Sequence, residues 1–171
     1  STPADNHGLL LAALASGDPV VYMEHKELWA TPGPVTPGEV VPLGKARIAR
    51  EGSDVTIVSW SRQMQACLHA AEQLATQGVQ AEVIDLRTIW PWDKAAVLAS
   101  VAKTGRLLVV HEAIRVAGFG AEIAATVAEE TGAKVARLGA PRIPVGYAPT
   151  LEGEARVSAA QVAAAAQKLA A

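Results

Sequence analysis

Residues 55–86 read VTIVSWSRQMQACLHAAEQLATQGVQAEVIDL, and this stretch decides the fold. Val55 to Trp60 is an apolar run of strand length. Ser61 can cap a helix whose apolar face is Met64, Cys67, Leu68, Ala71, Leu74 and Ala75, and Gly78 stops it. A second strand, Ala81 to Leu86, follows at once. A helix with one apolar face between two apolar strands predicts a crossover unit, in which parallel strands are joined by a covering helix.

Working outward, the unit repeats. Pro91 breaks the chain, Asp93 caps a helix carrying Val97, Val101 and Ala102, and Gly105 ends it before a third strand, Arg106 to Val110. After a glycine-containing turn come a helix over Gly120 to Thr131 with Ile123 and Val127 inward, a strand near Val135 to Leu138, a Pro-rich crossing segment, and an alanine-rich helix capped by Ser158. The alternation predicts an α/β fold with a doubly wound, mostly parallel sheet covered by helices. Val41 to Arg50 can add an edge strand. Upstream, residues 8–16 read as a short apolar helix and Val20 to Met23 as a buried strand, with a break at Asp18-Pro19. Between Thr31 and Pro42 lie four prolines and two glycines, the best linker in the chain.

Composition excludes several classes. With 15 basic and 17 acidic residues and a net charge of -2, nothing marks a nucleic-acid or membrane-surface partner. Half of the residues are apolar, enough for a sizeable core in 171 residues. The single cysteine, Cys67, permits no internal disulfide and reads as a small buried hydrophobe. His7, His25, His69 and His111 lack metal-ligand spacing, and no serine sits in a nucleophile elbow.

In an open parallel sheet, ligands bind beyond the carboxyl ends of the strands, which points to Ser59, Ser61, Asp85, Arg87, His111 and Glu112. His111 and Glu112 are neighbours on a strand and face opposite ways, so they read as a satisfied strand end rather than a proton-transfer pair. Asp85 and Arg87 share a face and are expected to pair with each other or with the Asp93 region. Gly118-Phe119-Gly120 precedes a helix; the third glycine of a dinucleotide fingerprint is replaced by Ile123, which favours a tight turn and close helix packing over anion binding. Trp90-Pro91-Trp92 carries large apolar area, suited to packing or to a protein interface.

Five segments, 19–29 (PVVYMEHKELW), 41–47 (VPLGKAR), 82–93 (EVIDLRTIWPWD), 103–112 (KTGRLLVVHE) and 118–122 (GFGAE), resemble the beta subunits of pyruvate, branched-chain 2-oxo acid and acetoin dehydrogenases, in the right order. The resemblance implies that residues 1–28 are the end of a pyrimidine-binding domain, 29–41 a linker and 42–171 a transketolase-type C-terminal domain. It further implies an enzyme that decarboxylates a 2-oxo acid on thiamine diphosphate and magnesium and passes the acyl group to lipoyl, or cleaves acetoin. The implied partners are an alpha subunit and a second beta subunit in a heterotetramer. This portion is expected to serve assembly. The family's cofactor-activating glutamate and acylation histidine lie upstream of the region matching Ser1, so no residue here is assigned a catalytic or cofactor-binding role and the 171-residue chain alone is expected to be inactive and not to bind the cofactor.

Some relatives hold a structural potassium ion through backbone carbonyls, and the matching positions are Ala13, Leu14, Ser16 and Asp18; helix capping by Ser16 or Asp18 is the alternative. The short link Glu130 to Lys134 departs from a longer segment that in relatives helps to dock the acyltransferase component, which speaks against unchanged docking. The expected compartment is the cytoplasm, or the mitochondrial matrix in a eukaryote. Two other readings are a C-terminal domain of a transketolase or deoxyxylulose-phosphate synthase relative, and a non-catalytic interaction module.

Overall fold

The computed structural model describes residues 1–171. Its centre is a five-stranded sheet built from β1 (Arg47–Arg50), β2 (Val55–Ser59), β3 (Ala81–Asp85), β4 (Arg106–Ile114) and β5 (Lys134–Ala140), in the order β1-β3-β2-β4-β5. All pairings are parallel except β1 with β3. The helices are α1 (Pro3–Ala15), α2 (Gln63–Thr76), α3 (Lys94–Thr104), α4 (Gly120–Thr131), α5 (Pro149–Glu154) and α6 (Ala159–Ala170).

Side chains alternate across a strand, so each strand feeds two cores. Ile57, Val83, Leu108 and Val110 meet Met64, Cys67 and Leu74 of α2 and Val162 and Ala166 of α6 on one face. On the other, Val58, Ile84, Leu107 and Val109 meet Val97 and Val101 of α3 and Ile123 and Val127 of α4. The strands are apolar on both faces because helices cover both, and the sheet is doubly wound as expected.

The caps read from the sequence hold in most places. The Asp93 side chain accepts from Ala96 N, Gly105 ends α3 in the left-handed region, and Ser158 forms a capping box with Gln161. Four details differ. Ser61 is not a helix cap: its φ of 55° turns the chain, and Arg62 takes the N-cap position without a side-chain bond. β4 runs on to Ile114, because after an irregularity Ile114 pairs again with Ala140. A short helix, α5, interrupts the expected crossing segment. Val20 to Met23 is not a buried strand; it pairs with no other strand, and Val21 and Met23 are exposed. An apolar run suits a strand, but only a partner strand makes one.

Residues 33–41 fold back on α1. The Val41 amide donates to the Gly8 carbonyl at 3.1 Å, and a Cβ on Gly8 would stand 2.6 Å from Val41 Cγ2. His7 Nε2 accepts from the Gly38 amide.

Candidate functional site

The segment from Ser1 to Thr31 lies across the carboxyl ends of β2, β3 and β4, leaving an open cleft of about 1010 Å³ lined by residues that include Tyr22, Trp29, Trp60, Arg87, Trp90 and Glu112. What joins the segment to the sheet is chiefly charge. Asp5, buried in the first turn of α1, takes part in a capping box with Thr2 and lies 2.8 Å from Arg87 Nε and 3.7 Å from Arg47 Nη2. The Arg87 contact is an ion pair rather than an aligned hydrogen bond. Arg47 in turn donates to Asp85 Oδ2 at 3.2 Å, and the Ser1 hydroxyl bonds the same carboxylate. Burial pushes the Asp5 carboxyl up, but the Thr2 hydroxyl, the Ser1 amino group and the two arginines outweigh it and hold the carboxyl below its ordinary value.

Asp85 and Arg87 therefore do not form the side-chain pair read from their spacing, and neither reaches the Asp93 region. Arg87 has φ 61°, which breaks strand alternation and sends its side chain to Asp5, while its amide donates to Asp85 Oδ1 at 3.2 Å. Asp93 is taken up by Ala96 N and Ala46 N.

Three further bridges cross to the segment. His25 Nε2 lies 2.9 Å from Glu112. Glu27 stands 2.5 Å from Arg62 and 2.5 Å from Arg156, which also pairs with Glu152. The Arg156 and Arg62 guanidiniums hold the Glu27 carboxyl at about 2. Sequence reasoning missed Asp5, Arg47, His25, Glu27, Arg62 and Arg156 as a set, because their partners are distant in sequence and no spacing rule links them.

His111 faces away from Glu112, as strand geometry requires. Its Nδ1 donates to the Ala113 carbonyl at 3.0 Å, its ring stacks on Trp60 at 5.6 Å, and Gly118, Gly120 and Gly139 enclose it. A Cβ on Gly118, Gly120 or Gly139 would come within 2.7, 2.5 and 2.8 Å of the ring. Burial, assisted by Arg137, pushes the imidazole below its usual value despite the Ala113 carbonyl, so it is neutral near pH 7. The glycines before α4 thus make room for the His111 ring. Ser59 is fully buried near Cys67, whose thiol burial pushes up to about 12, which leaves it inert. Ser61 borders the cleft. Trp92 packs on the second core, while Trp90 is 80% exposed.

Ala13 and Leu14 end α1, and Ser16 caps it. The Ala13 carbonyl accepts from Ser16 N and, at 2.9 Å, from Ser16 Oγ, and the Asp18 amide donates to that hydroxyl at 3.4 Å. Asp18 is exposed.

The profile of the family described as the transketolase C-terminal domain matches residues 44–162. The beta subunit of acetoin:2,6-dichlorophenolindophenol oxidoreductase from Cupriavidus necator is 43% identical over 98% of this chain and 51% of its own length. The 2-oxoisovalerate dehydrogenase beta subunit of Bacillus subtilis is 39% identical over 99% of this chain and 54% of its own. The chain thus spans about half the length of these curated relatives. Among solved structures, a split-gene transketolase described as an inactive beta4 tetramer matches with a TM-score of 0.73 and 28% identity, over 81% of this chain and 46% of that one. A transketolase variant from Pichia stipitis shares the fold at a TM-score of 0.53 and 19% identity, over 75% of this chain and 18% of its own.

Proposed function

Because the chain belongs to the transketolase C-terminal domain family, we propose that it acts as the carboxyl-terminal part of the beta subunit of a thiamine-diphosphate-dependent 2-oxo acid or acetoin dehydrogenase, serving subunit assembly. The observation that carries this is the 43% identity to a beta subunit along 98% of the chain, through both the segment before the linker and the α/β domain.

Thiamine diphosphate, held with magnesium, supplies the electron sink for decarboxylation in such enzymes. The residues here do not fit that group. Asp5 and Asp85 are engaged by arginines, and Glu112 by His25. No three His, Cys, Asp or Glu side chains group as metal ligands. No step is therefore assigned to this chain's own side chains. Their work is to hold the segment of residues 1–31 against the strand ends.

The proposed partners are an alpha subunit and a second beta subunit. Support comes from apolar side chains left in the open on the segment and beside it: Leu14, Val21, Met23, Trp29 and Trp90 are all exposed. Exposed apolar area gathered in this way marks a surface that further polypeptide covers. The proposed compartment is the cytoplasm or the mitochondrial matrix. No helix is long and apolar enough to cross a membrane.

The isolated 171-residue chain, given thiamine diphosphate and magnesium, is expected to decarboxylate no 2-oxo acid and cleave no acetoin above the buffer rate, yet to be retained by an immobilised alpha subunit. Turnover by the chain alone, or no retention, would sink the assembly reading. A structural potassium ion at Ala13, Leu14, Ser16 and Asp18 belongs to the same proposal. Binding it would exchange the Ser16 hydroxyl's bond to the Ala13 carbonyl for a carbonyl–cation contact. A thermal midpoint higher in KCl than in equimolar NaCl supports the ion, and equal midpoints remove it.

A further inference from the structure

β5 closes one side of the sheet and has no strand on its outer side. Residues Val135 to Ala140 are all half-exposed, whereas β2 and β3 are buried throughout. Such an edge presents unpaired N–H and C=O groups to any chain that can lie along it.

The charges on β5 and on the chain segments 113–121 and 141–151 have one sign. Arg137 lies on β5 and donates to the Arg115 carbonyl at 3.0 Å, and the Arg115 amide donates to the Ala140 carbonyl at 3.0 Å. Arg142 follows two residues after Ala140, so the three arginines gather where β4 and β5 end side by side. None of them has a carboxylate within 4.0 Å, which is true also of Arg50 and Arg106, whereas Arg47, Arg62, Arg87 and Arg156 are all ion-paired. Residues 113–121 and 131–151 contain no Asp or Glu, in a chain whose net charge is -2.

Cations on an edge strand also repel unwanted strand pairing. Protection alone would not place apolar side chains in the open beside them, yet Val116, Ile143 and Val145 are exposed and Tyr147 is fully so. A nucleic acid would use the guanidiniums and one aromatic ring but leave the aliphatic side chains idle. A polypeptide uses both.

We propose that the β5 edge with Arg115, Arg137 and Arg142 is a docking site for an extended acidic segment of a partner protein. The segment's backbone adds to β5, its carboxylates pair with the guanidiniums, and its apolar side chains meet Ile143 and Val145. This site is independent of the cleft and of the cofactor chemistry proposed above.

The test uses the whole chain and a labelled peptide of about twelve residues alternating Glu and Val, with binding read by fluorescence anisotropy. The acidic peptide is expected to bind and to weaken roughly tenfold between about 50 and about 300 mM NaCl. Its Lys-for-Glu counterpart is expected not to bind. Arg115→Glu with Arg142→Glu, both exposed in the native chain, should weaken binding at least about tenfold, while Lys168→Glu on α6 stays within about twofold. A thermal melt matching the parent's establishes that the double variant folds; Arg115→Gln with Arg142→Gln, expected to give a smaller loss in the same direction, serves if it does not. Amide exchange should slow along β5 when the peptide binds. Equal binding of the two peptides, a poly-dT oligonucleotide binding more tightly through the same arginines, unchanged affinity in the arginine variants, or protection confined to other elements would overturn the proposal.

Discussion

At the scale of single residues, close approach and buried charge make the sharpest demands. Gly120 exists where it does because the buried His111 ring fills the space a side chain would need, with Cδ2 only 2.5 Å from an added Cβ. The ring cannot yield, since Trp60, Gly118 and Gly139 hold its other sides. Gly120→Ala should therefore cost about 1–3 kcal/mol through overpacking, seen as a lower thermal midpoint. Asp5 makes the opposite kind of demand. Asp5→Asn keeps the shape but removes the charge facing Arg87 and Arg47, an expected loss of about 1–3 kcal/mol. The sign with pH follows from its depressed carboxyl. The parent's advantage is complete above the unfolded value of about 4 and disappears as pH falls through the lower folded value. Chemical denaturation of parent and variant should give curves that separate at pH 7 and approach each other below about pH 3. His111 and the glycines were legible as a tight turn; Asp5 was not, because nothing local in Thr2-Pro3-Ala4-Asp5 says which arginines it will meet.

At the scale of elements, the sequence announces most beginnings and ends through chemistry that acts within a few residues. Asp93 and Ser158 offer side-chain oxygens to orphan amides, and Gly105 and Gly132 accept the left-handed backbone that closes α3 and α4. Ser158→Ala removes the hydroxyl that accepts from Gln161 N and leaves the other half of the α6 capping box, the bond from the residue 158 amide to Gln161 Oε1, in place; a destabilisation of about 1 kcal/mol is expected by equilibrium unfolding. Because α6 packs Val162 and Ala166 into the core beneath α2, the loss should register as global stability rather than local fraying. A midpoint unchanged within error would mean that the cap is redundant. Where the reading missed, the deciding force was not local. Ser61 has the chemistry of a cap but the backbone of a turn, set by the exit of β2. The apolar run of Val20 to Met23 says strand and leaves open whether a partner strand lies beside it. β4 outruns its apolar stretch because the backbone of Ile114 finds Ala140 across the sheet.

At the scale of the whole chain, the two parts are held by different forces and should part under different conditions. Residues 55–166 share two apolar cores spread over both faces of the sheet, and hydrophobic burial has no proton to gain or lose. The segment of residues 1–31 buries only Asp5, Gly8 and Leu9 and reaches the sheet through Asp5–Arg87, Asp5–Arg47, His25–Glu112 and Glu27 with Arg62 and Arg156. Two of its carboxylates, Asp5 and Glu27, have folded values below their ordinary ones, Glu27 at about 2. Each contributes fully above the unfolded value near 4 and is lost as pH falls toward the folded value, so acid weakens the attachment more than the sheet, where one carboxyl, that of Glu82 on β3, paired with Lys103, is held below its ordinary value. Amide hydrogen exchange at pH 7 and at about pH 3, corrected for intrinsic rates, should show the protection of α1 collapsing while β2, β3 and β4 keep theirs. Molar salt at pH 7 should loosen the exposed Glu27 bridges first and the buried Asp5 contact last, because screening acts mainly on charges in contact with water. Simultaneous loss of protection in α1 and the strands would show a single cooperative unit, and the charge-held attachment would then be wrong.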